Sequence, residues 1–178
     1  MNHMDYVIGI LIKELRAKNE SAGKIQLQKL IYFLKYLGVK IPYGYVVAKY
    51  GPYSSELSKK LNEMEFNDYI KSIHNYNYEI SSQNFEEKFY SLESDSKYNN
   101  VITQFNRVFN VLPSLEFDDI ELYSTVHYCY NSLKVVKDSV SIEEVTQEVK
   151  KWKDDKFSDE EIKNAFDKLS TNNLLVKN

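Results

Sequence analysis

The residues able to do covalent or metal chemistry are few and poorly spaced for it. The chain has three histidines, His3, His74 and His127, and one cysteine, Cys129. His127 and Cys129 stand two apart in a helical stretch, so they point in different directions and form no local nucleophile–base pair. The histidines show no recurring ligand spacing, and a lone thiol supports neither a thiolate metal cluster nor an intrachain disulfide framework. Asp118-Asp119, Asp154-Asp155 and Glu160-Glu161 are adjacent pairs, two of them at helix starts, where negative charge favours the local dipole. No glycine-rich phosphate loop and no Gly-x-Ser-x-Gly elbow occurs. The expectation is a protein that is not an enzyme, with no cofactor and no metal.

The chemistry that remains is recognition, and it is concentrated between Lys24 and Met64. Leu27, Leu30, Ile31, Leu34 and Leu37 fall on one side of a helix, with Phe33 at its margin. Gln28, Lys29, Tyr32, Lys35 and Tyr36 fall opposite. Large semi-polar rings among lysines suit a protein interface, above all with an acidic partner. The other reading of Tyr32 and Tyr36 is burial in a multi-helix core with their hydroxyls bonded internally. Gly38 sits where a helix end wants a residue free to take positive φ. Tyr45 to Ala48 suits a short strand, and Gly51-Pro52 predicts a tight turn. Ser54 or Ser55 can accept from the first amides of a helix that buries Leu57, Leu61 and Met64. Tyr50, Tyr53 and Ser54 either flank a binding groove or fasten the turn.

Leu27-Gln28-Lys29-Leu30-Ile31-Tyr32-Phe33, followed after a short interval by Tyr50-Gly51-Pro52-Tyr53-Ser54, resembles the YwgA-type proteins. It is also similar to the broader Panacea (SocA-like) antitoxin domain. The close likeness covers residues 24–64, and a looser one extends through Leu122 to Leu175. The resemblance implies an α-rich protein without a catalytic centre. From the Panacea-type members it further implies a toxin-neutralising or adaptor role, exercised by sequestering a protein partner such as a cognate toxin or the target of a protease adaptor.

Around this stretch the elements read as mainly α with a small β-hairpin. A first helix runs from Met4 to Lys18, with Val7, Ile8, Leu11, Ile12 and Leu15 at helical spacing. Tyr69 to His74 and Tyr76 to Ser81 predict a hairpin turning at Asn75, and Phe89 to Leu92 a further extended piece. Lys97 to Leu112 is helical up to Pro113. Asp118 to Leu133 follows, with Asp118 and Glu121 as its capping pair. Ser141 with Glu144 and Ser158 with Glu161 read as capping boxes. The first opens a stripe of Ile142, Val145, Val149 and Trp152, the second one of Ile162, Ala165, Phe166 and Leu169. Leu174-Leu175-Val176 reads as a closing strand. Two helices joined at Asp154 to Phe157, with a strand after them, suggest a winged-helix-like unit. The chain divides as 1–95 with the hairpin and 96–178, helical, packed as one body, with a boundary near residues 93–100.

Charge is uneven. Residues 1–64 hold ten Lys or Arg against five acids, or +5; residues 65–178 hold thirteen against twenty-one, or −8, which together give the net −3. A basic N-terminal half admits an alternative function, a winged-helix regulator of transcription that binds nucleic acid. Its contacts would be Lys29, Ser55, Ser58, Lys59, Lys60 and Asn62, with Ser58 and its neighbours turned outward. Arg, the usual bidentate reader of guanine, occurs only at positions 16 and 107. No uninterrupted apolar run approaches the roughly 18 residues of a membrane span. A soluble cytoplasmic protein is expected.

Overall fold

The structure is a computed structural model that describes residues 2–74, 77–90 and 96–175. In chain order the elements are α1 (His3–Ala17), α2 (Lys24–Tyr36), β1 (Val46–Ala48), β2 (Gly51–Tyr53), α3 (Ser55–Phe66), β3 (Ile70–Ile73), β4 (Asn77–Ile80), α4 (Gln83–Tyr90), α5 (Ser96–Phe109), α6 (Phe117–Val136), α7 (Ile142–Lys153) and α8 (Asp159–Thr171). The architecture is mainly helical with two small antiparallel hairpins, an α+β fold in which the sequence pattern shows one hairpin.

Helix α2 is the centre. Every residue from Leu27 to Leu34 is buried, because α2 is packed by α1, α5, α6 and β2 together. Fully burying side chains such as Leu30 and Phe33 contributes about 1.5–3 kcal/mol each. Helix α6 is the second buried rod, touching α2, α7, α8 and β2. From Leu122 to Leu133 it carries no Asp, Glu, Lys or Arg, which fits a helix whose residues Ile120 to His127 are all buried. Helix α1 starts from a capping box between Asn2 and Asp5. Gly38 follows α2 at φ +88°, the left-handed conformation that ends the helix.

The first hairpin corrects the expected turn. Gly51 and Pro52 lie in strand β2, paired with Ala48 and Val47, and the chain reverses at Lys49 and Tyr50. Gly51 has φ +86° and lies hard against α6: a Cβ there would stand 2.9 Å from Thr125 Oγ1 and 3.3 Å from Ser124 Oγ. Two constraints on one residue, backbone and space, thus select glycine. The second hairpin pairs Ile70 with Ile80 through Ile73 with Asn77, as expected; the turn placed at Asn75 lies outside the described residues.

Of the other expectations, some are met and some corrected. Phe89 belongs to helix α4 rather than to an extended piece, and Leu92 lies outside the described residues. Residues 96–100 open α5, which packs on α1 and α2. Helix α5 ends at Phe109, ahead of Pro113. Helix α6 is capped by Glu116 without a side-chain bond, and Asp118 and Glu121 pair with lysines instead. Both later capping boxes are present, at Ser141 with Glu144 and at Ser158 with Glu161. Trp152 is half exposed and not part of the α7 core stripe. Leu174 and Leu175 form no strand, Val176 lies outside the described residues, and no wing follows α8 among those described. Among the described residues no helix is long and apolar enough to cross a membrane.

Candidate functional site

The two motifs fasten to one another. The Gln28 side chain donates from Nε2 to Ser54 O at 2.8 Å and accepts from Ser54 N at 2.9 Å, closing a two-bond ring with that backbone. It also donates to Ser58 Oγ at 3.3 Å, and that hydroxyl lies 2.6 Å from Tyr53 Oη. One turn position further, Lys29 Nζ donates to Pro52 O at 2.6 Å. Ser54 caps α3 by accepting from Leu57 N. Gln28, Lys29, Ser54 and Ser58 are therefore interior clamps. The expectation that Gln28, Lys29 and Ser58 face outward is corrected: buried backbone polar groups require partners, and these side chains supply them.

A charged cluster lies behind the clamp. Glu121 is fully buried, with Oε1 2.8 Å from Lys153 Nζ and Oε2 3.0 Å from Lys156 Nζ. Lys153 also donates to Lys49 O at 2.6 Å, gripping the tip of the first hairpin from inside. Lys156 is held above the ordinary lysine range despite its desolvation, by the hydrogen bonds it donates to Asp118 and Glu121. Lys29 behaves oppositely: burial drives its ammonium down to about 7, the charge of Lys153 adds to that, and Glu121 opposes it.

Tyr32 is also interior, so its other reading, an internally bonded hydroxyl, is the observed one. Its Oη lies 2.7 Å from His127 Nδ1, while His127 Nε2 lies 3.0 Å from Leu174 O. A carbonyl only accepts, so Nε2 carries the proton and Nδ1 receives the Tyr32 hydroxyl; Asn131 Nδ2 approaches the same atom at 2.9 Å. Desolvation holds the His127 imidazole down to about 4 and pushes the Tyr32 phenol well above its usual value. Tyr36 and Tyr45 pack on the Tyr32 ring. Cys129 is buried two residues from His127, and burial pushes its thiol up to about 12. No group of three or more His, Cys, Asp or Glu suited to a metal occurs among the described residues.

What stays at the surface is the rim of a small cavity between α2 and the first hairpin. It holds about 270 Å³ and is lined by Lys24, Lys29, Lys49, Tyr50 and Tyr53, with Ile25 and Ala48 as apolar wall. Lys49 Nζ lies 5.2 Å from the Tyr50 ring centroid, and Tyr50 meets Phe117 edge to face at 5.2 Å. Tyr50 and Val46 are exposed. Of the residues proposed for partner binding, Lys29, Tyr50 and Tyr53 thus gather in one place with Gln28 beneath them. Tyr36 is only partly buried, and Lys35, whose amine binds Tyr43 O, lies away from this cavity. Lys24 and Lys49, which the sequence offers only as a sequence-independent attraction for nucleic acid, also line this cavity.

The nucleic-acid set separates. Ser55, Lys59 and Asn62 are exposed on α3, interleaved with Glu56 and Glu63. Lys60 is buried, 2.6 Å from Asp5 Oδ1 and 2.8 Å from Glu63 Oε1, so its charge is neutralised within the protein.

In comparisons with known proteins, no family model matches the chain and no curated protein matches it.

Proposed function

We propose that this chain is a soluble cytoplasmic macromolecule-binding protein that holds a protein partner, in the manner of an antitoxin or adaptor, and performs no chemistry on it. The observation that carries this reading is the hairpin tip. Lys49 and Tyr50 stand exposed while Lys153, buried behind them, bonds the Lys49 carbonyl. A protrusion held from inside loses little conformational freedom on binding. Tyrosine beside lysine offers apolar area, a hydrogen bond and positive charge to an acidic partner. The likeness of the Leu-Gln-Lys-Leu and Tyr-Gly-Pro segments to the Panacea-type domain supports the same reading.

Tagged protein recovered from native cells should carry one stoichiometric protein partner. A Lys49→Glu, Tyr50→Ala variant should release that partner while keeping its own fold by circular dichroism. Recovery of the chain alone would overturn the reading. For the nucleic-acid alternative, α3 offers Lys59 with Ser55 and Asn62. A salt-dependent mobility shift with duplex DNA, weakened by Lys59→Glu, would favour that alternative.

A further inference from the structure

We infer that a second cavity, between the end of α2, the approach to β1 and the second half of α6, binds a free, neutral, planar heteroaromatic ring with both hydrogen-bond donors and acceptors on its edge, as a nucleobase has. This site goes beyond the protein-binding reading and does not depend on it.

The Tyr45 hydroxyl is what points to a ligand. Its oxygen is buried and has no hydrogen-bond partner among the described residues, and Tyr45 lines a cavity of about 360 Å³. A buried hydroxyl left unpaired costs about 1–3 kcal/mol, so a molecule that reaches it makes a bond the protein leaves open. Asn131 lines the same cavity. The neutral His127 ring accepts at Nδ1, so the Asn131 amide turns its nitrogen there, at 2.9 Å, and keeps Oδ1 as an acceptor. Tyr36, Tyr128 and Ser132 add three more hydroxyl-bearing side chains to the wall.

Much of that wall is aromatic. Tyr36, Tyr45 and Tyr128 each pack on the buried Tyr32 ring, with centroids 4.9, 5.3 and 6.2 Å from it. Three rings gathered on a fourth make an aromatic recess, and a flat π-system stacks on tyrosine with little regard to its substituents. The volume lies within the roughly 300–1,000 Å³ of small-ligand pockets, toward the lower end, which suits a single ring with a small substituent.

Charge and polarity narrow the class. No Asp or Glu lines the cavity among the described residues, and the amine of Lys134, which does, is bonded to Asp138 O. A cation would find rings but no counter-charge, and would sit near that ammonium. An aliphatic ligand would leave Tyr45 and Asn131 unsatisfied. A nucleic-acid strand would need a basic track, and Lys134 alone is no such track. Burial raises the phenols of Tyr36 and Tyr45 above their ordinary value, so both stay neutral hydroxyls able to donate or accept. A neutral ring with a mixed polar edge matches this wall.

The test is a titration of the full-length chain with adenosine, inosine, cytidine and uridine, read by amide chemical shifts, with ribose and tetramethylammonium as further probes. At least one nucleoside should move the Asn131 side-chain amide and the backbone amides of Tyr36, Tyr45 and Tyr128, and ribose should not. Tyr45→Phe should weaken that binding about threefold to tenfold, the worth of one hydrogen bond. It should not lower the unfolding temperature, since the hydroxyl has no internal partner to lose. Tyr128→Leu should weaken binding about tenfold through the lost stack; if that variant fails to fold, Tyr45→Phe decides. Tyr50→Phe at the hairpin tip should leave binding unchanged. Nucleosides that leave these amides unmoved, or bind Tyr45→Phe as tightly as the natural chain, would overturn the inference. So would tetramethylammonium binding more tightly than every nucleoside, which would mark a cation cage. A single-stranded oligonucleotide displacing the nucleoside more tightly than the nucleoside itself binds would overturn the free ligand in favour of a strand.

Discussion

Gln28 and Ser54 bind one another twice, side chain to backbone, across the join between the central helix and the start of α3. A glutamine amide reproduces there what a neighbouring strand would offer: one donor and one acceptor, correctly spaced. Replacing Gln28 by Met keeps its volume and leaves the Ser54 N–H buried and unpaired, while Ser54 O keeps its bond from Ser58 N. The expected loss is about 1–3 kcal/mol, the cost of one orphaned buried donor. Urea unfolding of the two proteins measures it, and a loss under ~1 kcal/mol would mean water replaces the amide.

The pair of Glu121 and Lys153 should show strong non-additivity. Glu121→Gln alone strands a buried ammonium and is expected to cost about 3–5 kcal/mol, whereas Glu121→Gln with Lys153→Met should recover most of that. Lys153→Met also frees the carbonyl of Lys49. Amide hydrogen exchange from Val46 to Tyr53 should then accelerate more than in α8.

Gly51 and Gly38 provide an internal comparison. Both have positive φ, but a Cβ at Gly38 meets nothing within 4 Å, whereas one at Gly51 meets Thr125 and Ser124. Gly38→Ala should cost about 1 kcal/mol through the backbone. Gly51→Ala should cost clearly more, because the hairpin must also back away from α6. Thermal unfolding of both variants reads the difference.

Lys29 sets a pH dependence with an unusual sign. Unfolded, the amine keeps its proton to about 10.5; folded, it releases it near 7. Between those values the unfolded chain binds more protons, so stability rises with pH. Unfolding free energy measured from pH 7 to 8.5 should climb in the natural protein and stay flatter in Lys29→Met.

His127 governs the acid side. Its ring is neutral in the fold down to about 4, against 6.5 when unfolded, so its contribution is complete above pH 6.5 and is lost as pH falls through that window. At about 1.4 kcal/mol per pH unit, the loss approaches about 3 kcal/mol by pH 4. Imidazole carbon shifts of His127 should stay those of a neutral ring, protonated at Nε2, until the chain unfolds.

The extent to which this was legible in the sequence follows from which interactions are local. Helical periodicity locates α1 and α2, and the Ser141 and Ser158 caps act over three residues, so both survive in the structure. The polar face of α2 misleads because periodicity reports what one helix offers, not what packs on it. Gln28, Lys29 and Tyr32 find partners 23 to 95 positions away, at Pro52, Ser54 and His127. Asp118 and Glu121 resemble a cap by spacing, yet their partners Lys153 and Lys156 come from the end of α7 and just past it, and no local rule points there. The site is half legible: Tyr50 and Tyr53 follow from the motif and Lys24 and Lys49 from the basic charge around it, while their meeting in one cavity emerges only once hairpin and helix pack.

Cys129 is the chain's single thiol and lies on the rod that touches four other elements. A disulfide reagent in solution can reach it only when that rod is uncovered. Its labelling rate is therefore a clock for opening of the whole interior, supplied by the natural chain without any added probe. A bound partner that steadies the hairpin against this rod would slow the clock, so occupancy at the surface can be timed from the centre.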